Sequence, residues 1–137
     1  DHIRGAFKAY RKSCFDAMGG LRSAMGWDTI DELLARYHGF SVDTFAKPHV
    51  KHLRPLGSQY KISAAQRQGN AFFQMRYGLL LSFLASLKSA VKKRSGLWGV
   101  GLLWGYLKAV FTTTPFLVTK EEGKFIRAYR WAQIKNR

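Results

Sequence analysis

The 137-residue chain is poor in cysteine and in acid. Its one cysteine, Cys14, excludes a disulfide framework and a cysteine-based zinc site, and fits a reducing compartment. The P-loop, the nucleophile elbow and the dinucleotide fingerprint are all missing, as are internal repeats and low-complexity stretches. No signal-peptide pattern opens the chain at Asp1-His2-Ile3-Arg4, and no initiator Met precedes it, as expected for a piece of something longer. What is present is apolar: 47% hydrophobic and 15% aromatic residues, too much for intrinsic disorder and enough for a domain with a core.

Acid is scarce and unevenly placed. Residues 1–60 carry 9 Lys and Arg against 6 Asp and Glu, whereas residues 61–137 carry 14 against 2, a net of +12. From Thr44 through Lys120 there is no carboxylate, against 12 basic residues. Such a segment cannot neutralise itself, which points to a polyanionic partner (lipid headgroups, nucleic acid or a phosphorylated ligand) or else to a solvated basic face.

Two regions meet near Leu53-Arg54-Pro55-Leu56-Gly57-Ser58, dividing the chain into 1–56 and 57–137. The first reads as short strands and helices. Ile3 to Tyr10 fits a strand on which Gly5 permits close approach of another group. Lys12 to Met18 fits a short helix ended by Gly19-Gly20. Asp28 reads as the N-cap of a second helix, with Ile30, Leu33, Leu34 and Tyr37 on one face and Gly39 as the stop. Phe40 to Ala46 and Val50 to Leu53 read as strands.

The second region reads as amphipathic helix. From Ala71 to Val91, residues Phe72, Phe73, Leu79, Leu80, Phe83, Leu84, Leu87 and Val91 share one side, and Gln74, Gly78, Ser82, Ser86, Ser89 and Lys92 the other. Leu97 to Phe111 is apolar, with Gly101, Gly105 and Lys108 on a narrow opposite strip, and Pro115 ends it. A basic helix from about Lys120 to Asn136 closes the chain. The Leu97–Phe111 run reaches about 23 Å, short of the ~30 Å hydrocarbon layer, and Arg76 and Lys88 interrupt the longer one. Two arrangements stay open. In one, both helices lie in the headgroup zone, with Trp98, Trp104 and Tyr106 at the interface and Lys92, Lys93 and Arg94 on anionic lipid. In the other they form a soluble core, Gly101 and Gly105 allowing close contact. Specific nucleic-acid binding is not expected, because the basic residues alternate with aliphatic runs and form no single groove.

Among side chains able to do chemistry, Asp28, Asp31 and Glu32 are the densest carboxylates. One of them at a helix start suits a general base, although Asp28 alone equally suits an ordinary cap. His49 and His52 are a weak metal signal.

The order of these pieces resembles the middle of an inverting family 2 glycosyltransferase of the bacterial surface-polysaccharide class. The resemblance rests on Arg4-Gly5-Ala6-Phe7-Lys8-Ala9-Tyr10-Arg11-Lys12, on Cys14-Phe15-Asp16-Ala17-Met18-Gly19-Gly20-Leu21, and above all on Gly26-Trp27-Asp28-Thr29-Ile30-Asp31-Glu32-Leu33-Leu34-Ala35-Arg36. Val50-Lys51-His52-Leu53-Arg54-Pro55 is similar to the family's His-bearing strand, and Leu102-Leu103-Trp104-Gly105-Tyr106-Leu107 to its membrane-proximal tail.

The resemblance implies an α+β fragment: the C-terminal part of a GT-A type α/β nucleotide-diphospho-sugar transferase, followed by a mainly helical, amphipathic tail. It implies transfer of a sugar from a nucleotide-diphosphate donor to a saccharide or lipid-linked acceptor, with Asp28 as general base. Trp27, Asp31, Glu32 and Gly5 would support the acceptor side, Arg54 would touch the diphosphate, and His52 would help hold a divalent metal, Mg or Mn. The family often has Glu-Asp where this chain has Trp27-Asp28, so a companion carboxylate would have to come from Asp31 or Glu32. The nucleotide-binding half with its Asp-x-Asp motif is missing from the sequence, so the 137 residues alone are expected to be inactive. The expected place is the cytoplasmic face of a bacterial membrane, peripherally bound, with self-association open. The competing expectation is a non-enzymatic cationic helical module that binds membranes or, ranking lower, nucleic acid.

Overall fold

A computed structural model of the chain describes residues 8–22, 24–44 and 62–136. The chain divides into two compact units, Asp1–Gln59 and Tyr60–Arg137. Among the described residues the secondary structure is entirely helical: α1 (Lys12–Ala17) and α2 (Trp27–Tyr37) in the first unit, then α3 (Ile62–Gln74), α4 (Leu79–Lys93), α5 (Gly96–Phe111) and α6 (Lys120–Lys135) in the second. This corrects the expected α+β class. Lys8–Tyr10 and Phe40–Thr44 form no strand, and Ile3–Phe7, Phe45, Ala46 and Val50–Leu53 lie outside the described residues. A few residues of favourable pattern make a strand only where a neighbouring strand takes their backbone hydrogen bonds. Neither segment has such a partner among the described residues.

In the first unit α1 packs on α2. Cys14 and Met18 from the α1 side are buried, as are Ile30, Leu33, Leu34 and Ala35 on the inner face of α2. α2 begins earlier than its carboxylate pattern indicates. Gly26 is the N-cap, in the left-handed region at φ 77°, and its carbonyl accepts from the amides of Thr29 and Ile30. Asp28 therefore lies in the first turn, where negative charge faces the positive end of the helix dipole. At the other end Gly39, at φ +81°, lets Phe40 N–H reach Ala35 O and Gly39 N–H reach Arg36 O, a Schellman closure.

The second unit is built on small residues. α3 and α5 touch backbone to backbone. A Cβ placed on Gly69 would lie 1.8 Å from Leu102 O, and one on Gly105 would lie 2.0 Å from Gln66 O. Ala65 and Gly69 on α3, and Gly101 and Gly105 on α5, are each spaced i, i+4, the small-xxx-small spacing that lets helices approach closely. Ala65, Trp98 and Leu102 form the buried cluster at this contact, flanked by Ala64 and Phe72. α4 meets α5 through Ser86 and Ala90, with Ser86 Oγ donating to Gly99 O at 3.0 Å.

The continuous helix expected from Ala71 to Val91 is broken at Met75–Gly78. Arg76 takes φ 54°, so Tyr77 N–H returns to Phe72 O and closes α3. The left-handed region costs a non-glycine residue about 1–2 kcal/mol, and the surroundings of Arg76 offset it. Its Nε donates to Val118 O, its guanidinium lies 3.5 Å from the Phe116 ring centroid, and its carbonyl accepts from Arg127 Nη1. α6 is thereby fixed over the turn, entered through a capping box in which Thr119 and Glu122 satisfy each other's amides.

Candidate functional site

The first turn of α2 is held by a residue that sequence reasoning placed on a strand and gave no role. Lys8 Nζ donates to Asp31 Oδ1 and Oδ2 at 2.8 and 2.9 Å, to Glu32 Oε1 at 3.1 Å, and to the main-chain carbonyl of Asp28. Tyr10 Oη donates to Asp31 Oδ2. Lys8 and Tyr10, two residues apart, thus reach the same carboxylate; that spacing was the available signal. The Asp31 side chain is fully buried and that of Lys8 nearly so. Burial first, then the hydrogen bond to Asp31, hold the Tyr10 phenol well above its usual range.

Asp31 and Glu32 both pair with the Lys8 ammonium. Asp28 and Trp27 are half-buried at the start of α2, and the Lys8 bond to the Asp28 carbonyl fixes the backbone that carries the side chain. The arrangement can present one carboxylate from a rigid helix start, which is what proton abstraction requires. It offers a divalent metal little: Asp31 and Glu32 already hold a cation, and no group of three His, Cys, Asp or Glu gathers among the described residues. Gly5, His52 and Arg54 lie outside the described residues, as does His49. Cys14 is buried, and that burial pushes its thiol up and disfavours the thiolate.

In the second unit the expected interface residues separate. Trp98 and Tyr106 are buried in the helix packing, which corrects their placement at an interface; Trp104 is exposed. Their positions follow from helical phase: Trp98 and Tyr106 share the side of α5 that carries Leu102 and Ala109, whereas Trp104 stands with Leu97, Val100, Leu107 and Phe111. Lys92 and Arg94 are exposed. Lys93 lies 3.7 Å from the Trp98 ring centroid, its ammonium pulled below the usual lysine range by burial and then by Lys92.

α4 is turned opposite to the arrangement of a water-soluble amphipathic helix. Its serine side is inside, with Ser82 and Ser86 buried, while Leu79, Leu80, Phe83, Leu87 and Val91 are exposed. No described helix is long and apolar enough to cross a membrane. A surface hollow of about 350 Å³ on α6, lined by Tyr129, Ala132, Gln133 and Asn136, contains none of the expected site residues. Compared with protein-family models, with curated proteins and with solved structures, the chain matches none.

Proposed function

We propose that this chain contributes the acceptor side of an inverting glycosyl transfer, with Asp28 as the general base. The observation that carries the reading is the Lys8 clamp: one ammonium takes up Asp31, Glu32 and the carbonyl of Asp28, and so holds the start of α2 in one geometry. Glycosyl transfer by direct displacement needs such a carboxylate. It removes the proton of the acceptor hydroxyl as that oxygen attacks the anomeric carbon. The bond from that carbon to the nucleotide diphosphate breaks on the opposite side, and the diphosphate leaves with the electron pair. The acceptor is a saccharide or a lipid-linked saccharide. The donor, and any divalent ion accompanying its diphosphate, would be held by parts other than the described residues.

The test uses the full-length gene product, assayed for sugar transfer and, separately, for donor binding. Asp28→Asn keeps size and loses basicity. It is expected to leave donor binding near the parent value and to lower transfer by about 10²–10⁴-fold, the usual worth of a positioned base. Asp31→Asn is expected to lower the melting temperature instead. Retained transfer in Asp28→Asn removes Asp28 from the role.

A further inference from the structure

We infer that the second unit embeds α4 and α5 side by side in one leaflet of an anionic bilayer, without crossing it. The inference does not rest on the glycosyl-transfer reading, since it uses only the second unit.

The first observation is the inversion of packing. In water, an amphipathic helix turns its large apolar residues inward and its serines outward. In α4 the reverse holds: Ser82 is fully buried while Val91 is 72% exposed. In α5 Gly101 and Gly105 are inside and Phe111 is 83% exposed. Small residues make the closest helix contacts, with Leu81, Trp98, Leu102 and Tyr106 also inside, while a stripe of large aliphatic and aromatic residues stands outside; close backbone approach of this kind supplies helix association in lipid, where tails take up the apolar surface.

The second observation is that the two stripes face the same way. At about 100° per residue, the stripe through Leu80, Phe83 and Leu87 begins beside the Ser86–Ala90 seam of α4. The stripe through Val100, Trp104 and Phe111 lies about 100° round α5 from Gly101 and Gly105, the residues that receive α3, and on the other side of Gly99, which meets α4. The Arg94-Ser95 reversal makes the pair antiparallel, so both stripes fall on one side of the seam, with α3 on the other. The outer side of α3 is polar, with Ser63 and Arg67 exposed.

Charge selects the occupant. Residues 62–119 hold seven Lys and Arg and no Asp or Glu. A second copy of the chain docked on this face would bring two such sets together, and like charges repel. An anionic lipid surface neutralises them while its acyl layer takes the stripes. Lys88, Lys92, Arg94 and Lys108 are exposed and can reach headgroups. The helices have 15 and 16 residues, about 24 Å at most, so the pair lies in a leaflet and does not span it.

The experiment uses the 137-residue chain with vesicles of phosphatidylcholine alone or with about 30% phosphatidylglycerol, followed by flotation and by tryptophan quenching with brominated acyl chains. Binding is expected with phosphatidylglycerol, at least tenfold tighter than without it. Quenching is expected to drop on Trp104→Phe. Phe83→Glu with Val100→Glu is expected to abolish binding while helix content stays at the parent level, since both side chains are exposed. Lys92→Glu with Arg94→Glu is expected to weaken binding to anionic vesicles only. Three outcomes overturn the inference: a dimer in water that ignores vesicles, a monomer that binds DNA but not vesicles, or vesicle binding fully released by salt without acyl-chain quenching.

Discussion

Replacing Gly69 or Gly105 by alanine sets two effects of opposite sign against each other. In an exposed helix position Gly→Ala stabilises by about 1 kcal/mol, because alanine is the better helix former. Here the added Cβ would stand 1.8 Å from Leu102 O or 2.0 Å from Gln66 O, short of the 3.4 Å of ordinary contact by 1.6 and 1.4 Å. The obstructing atoms are helix backbone, which cannot swing aside as a side chain can, so α3 and α5 must part along the seam that buries Ala65 and Leu102. Overpacking of this kind costs typically about 1–3 kcal/mol, with a rigid neighbour at the top of that range or beyond. A net loss of about 2 kcal/mol is expected for each variant. In a unit of this size that lowers the melting temperature by about 8–16 °C. Gly96→Ala is the control: a Cβ there meets nothing within 4 Å, so propensity acts alone and the variant should be neutral or more stable. Circular dichroism melts of the three variants suffice. If Gly69→Ala and Gly105→Ala rise with Gly96→Ala, the two helices do not touch through their backbones and the account of the second unit is wrong.

Lys8→Met leaves the buried Asp31 carboxylate without its cation, a change that costs about 3–5 kcal/mol. Urea unfolding should show that loss, and Asp31→Leu in the Lys8→Met background should recover most of it; a double variant no better than the single one would refute the clamp. Tyr10 links the same site to pH. Its folded pKa is raised above the ordinary 10.0 by burial and by Asp31, so folding favours the protonated phenol. The stabilisation is fully present below about pH 10 and is lost as pH rises through the folded value. The stability gap between the parent and Tyr10→Phe should therefore shrink as pH rises above about 10, whereas a constant gap would remove the Tyr10–Asp31 bond.

The last two helices of the second region were legible because periodicity and punctuation agreed, whereas the first nine residues of α3, Ile62–Asn70, carried no helix reading. Leu97 to Phe111 differs from α5 by a single residue, and Lys120 to Asn136 from α6 likewise by one. The break at Met75–Gly78 was not legible. Gly78 was its only local mark, and the left-handed residue is Arg76, held there by Val118, Phe116 and Arg127 from 40 or more positions away. The N-cap of α2 was misplaced for a local reason. Gly26 caps the helix through its own backbone, so the side-chain preference that favours Asp at that position never came into play, and Asp28 falls inside the first turn. The carboxylates of the candidate site could be found by their density. That Lys8 holds two of them was marked only by the two-residue spacing of Lys8 and Tyr10, since Lys8 stands 23 residues from Asp31.

A hydrophobic stripe states that one side of a helix leaves water; it does not state what receives it. Along α4 the sequence separates serine from leucine and phenylalanine cleanly, and a protein core or a bilayer would satisfy the pattern equally well. The structure adds the direction. In α4 the polar side holds the partner helix, because Ser86 can donate to Gly99 O only if α4 and α5 approach through their small residues. The large residues are then excluded from that seam by size, since Gly99 leaves room for a serine or an alanine and little more. Small residues therefore set how closely the helices of the second unit approach, and the exposed large ones decide its environment. The two can be tested separately, Gly105→Ala acting on the first and Phe83→Glu on the second.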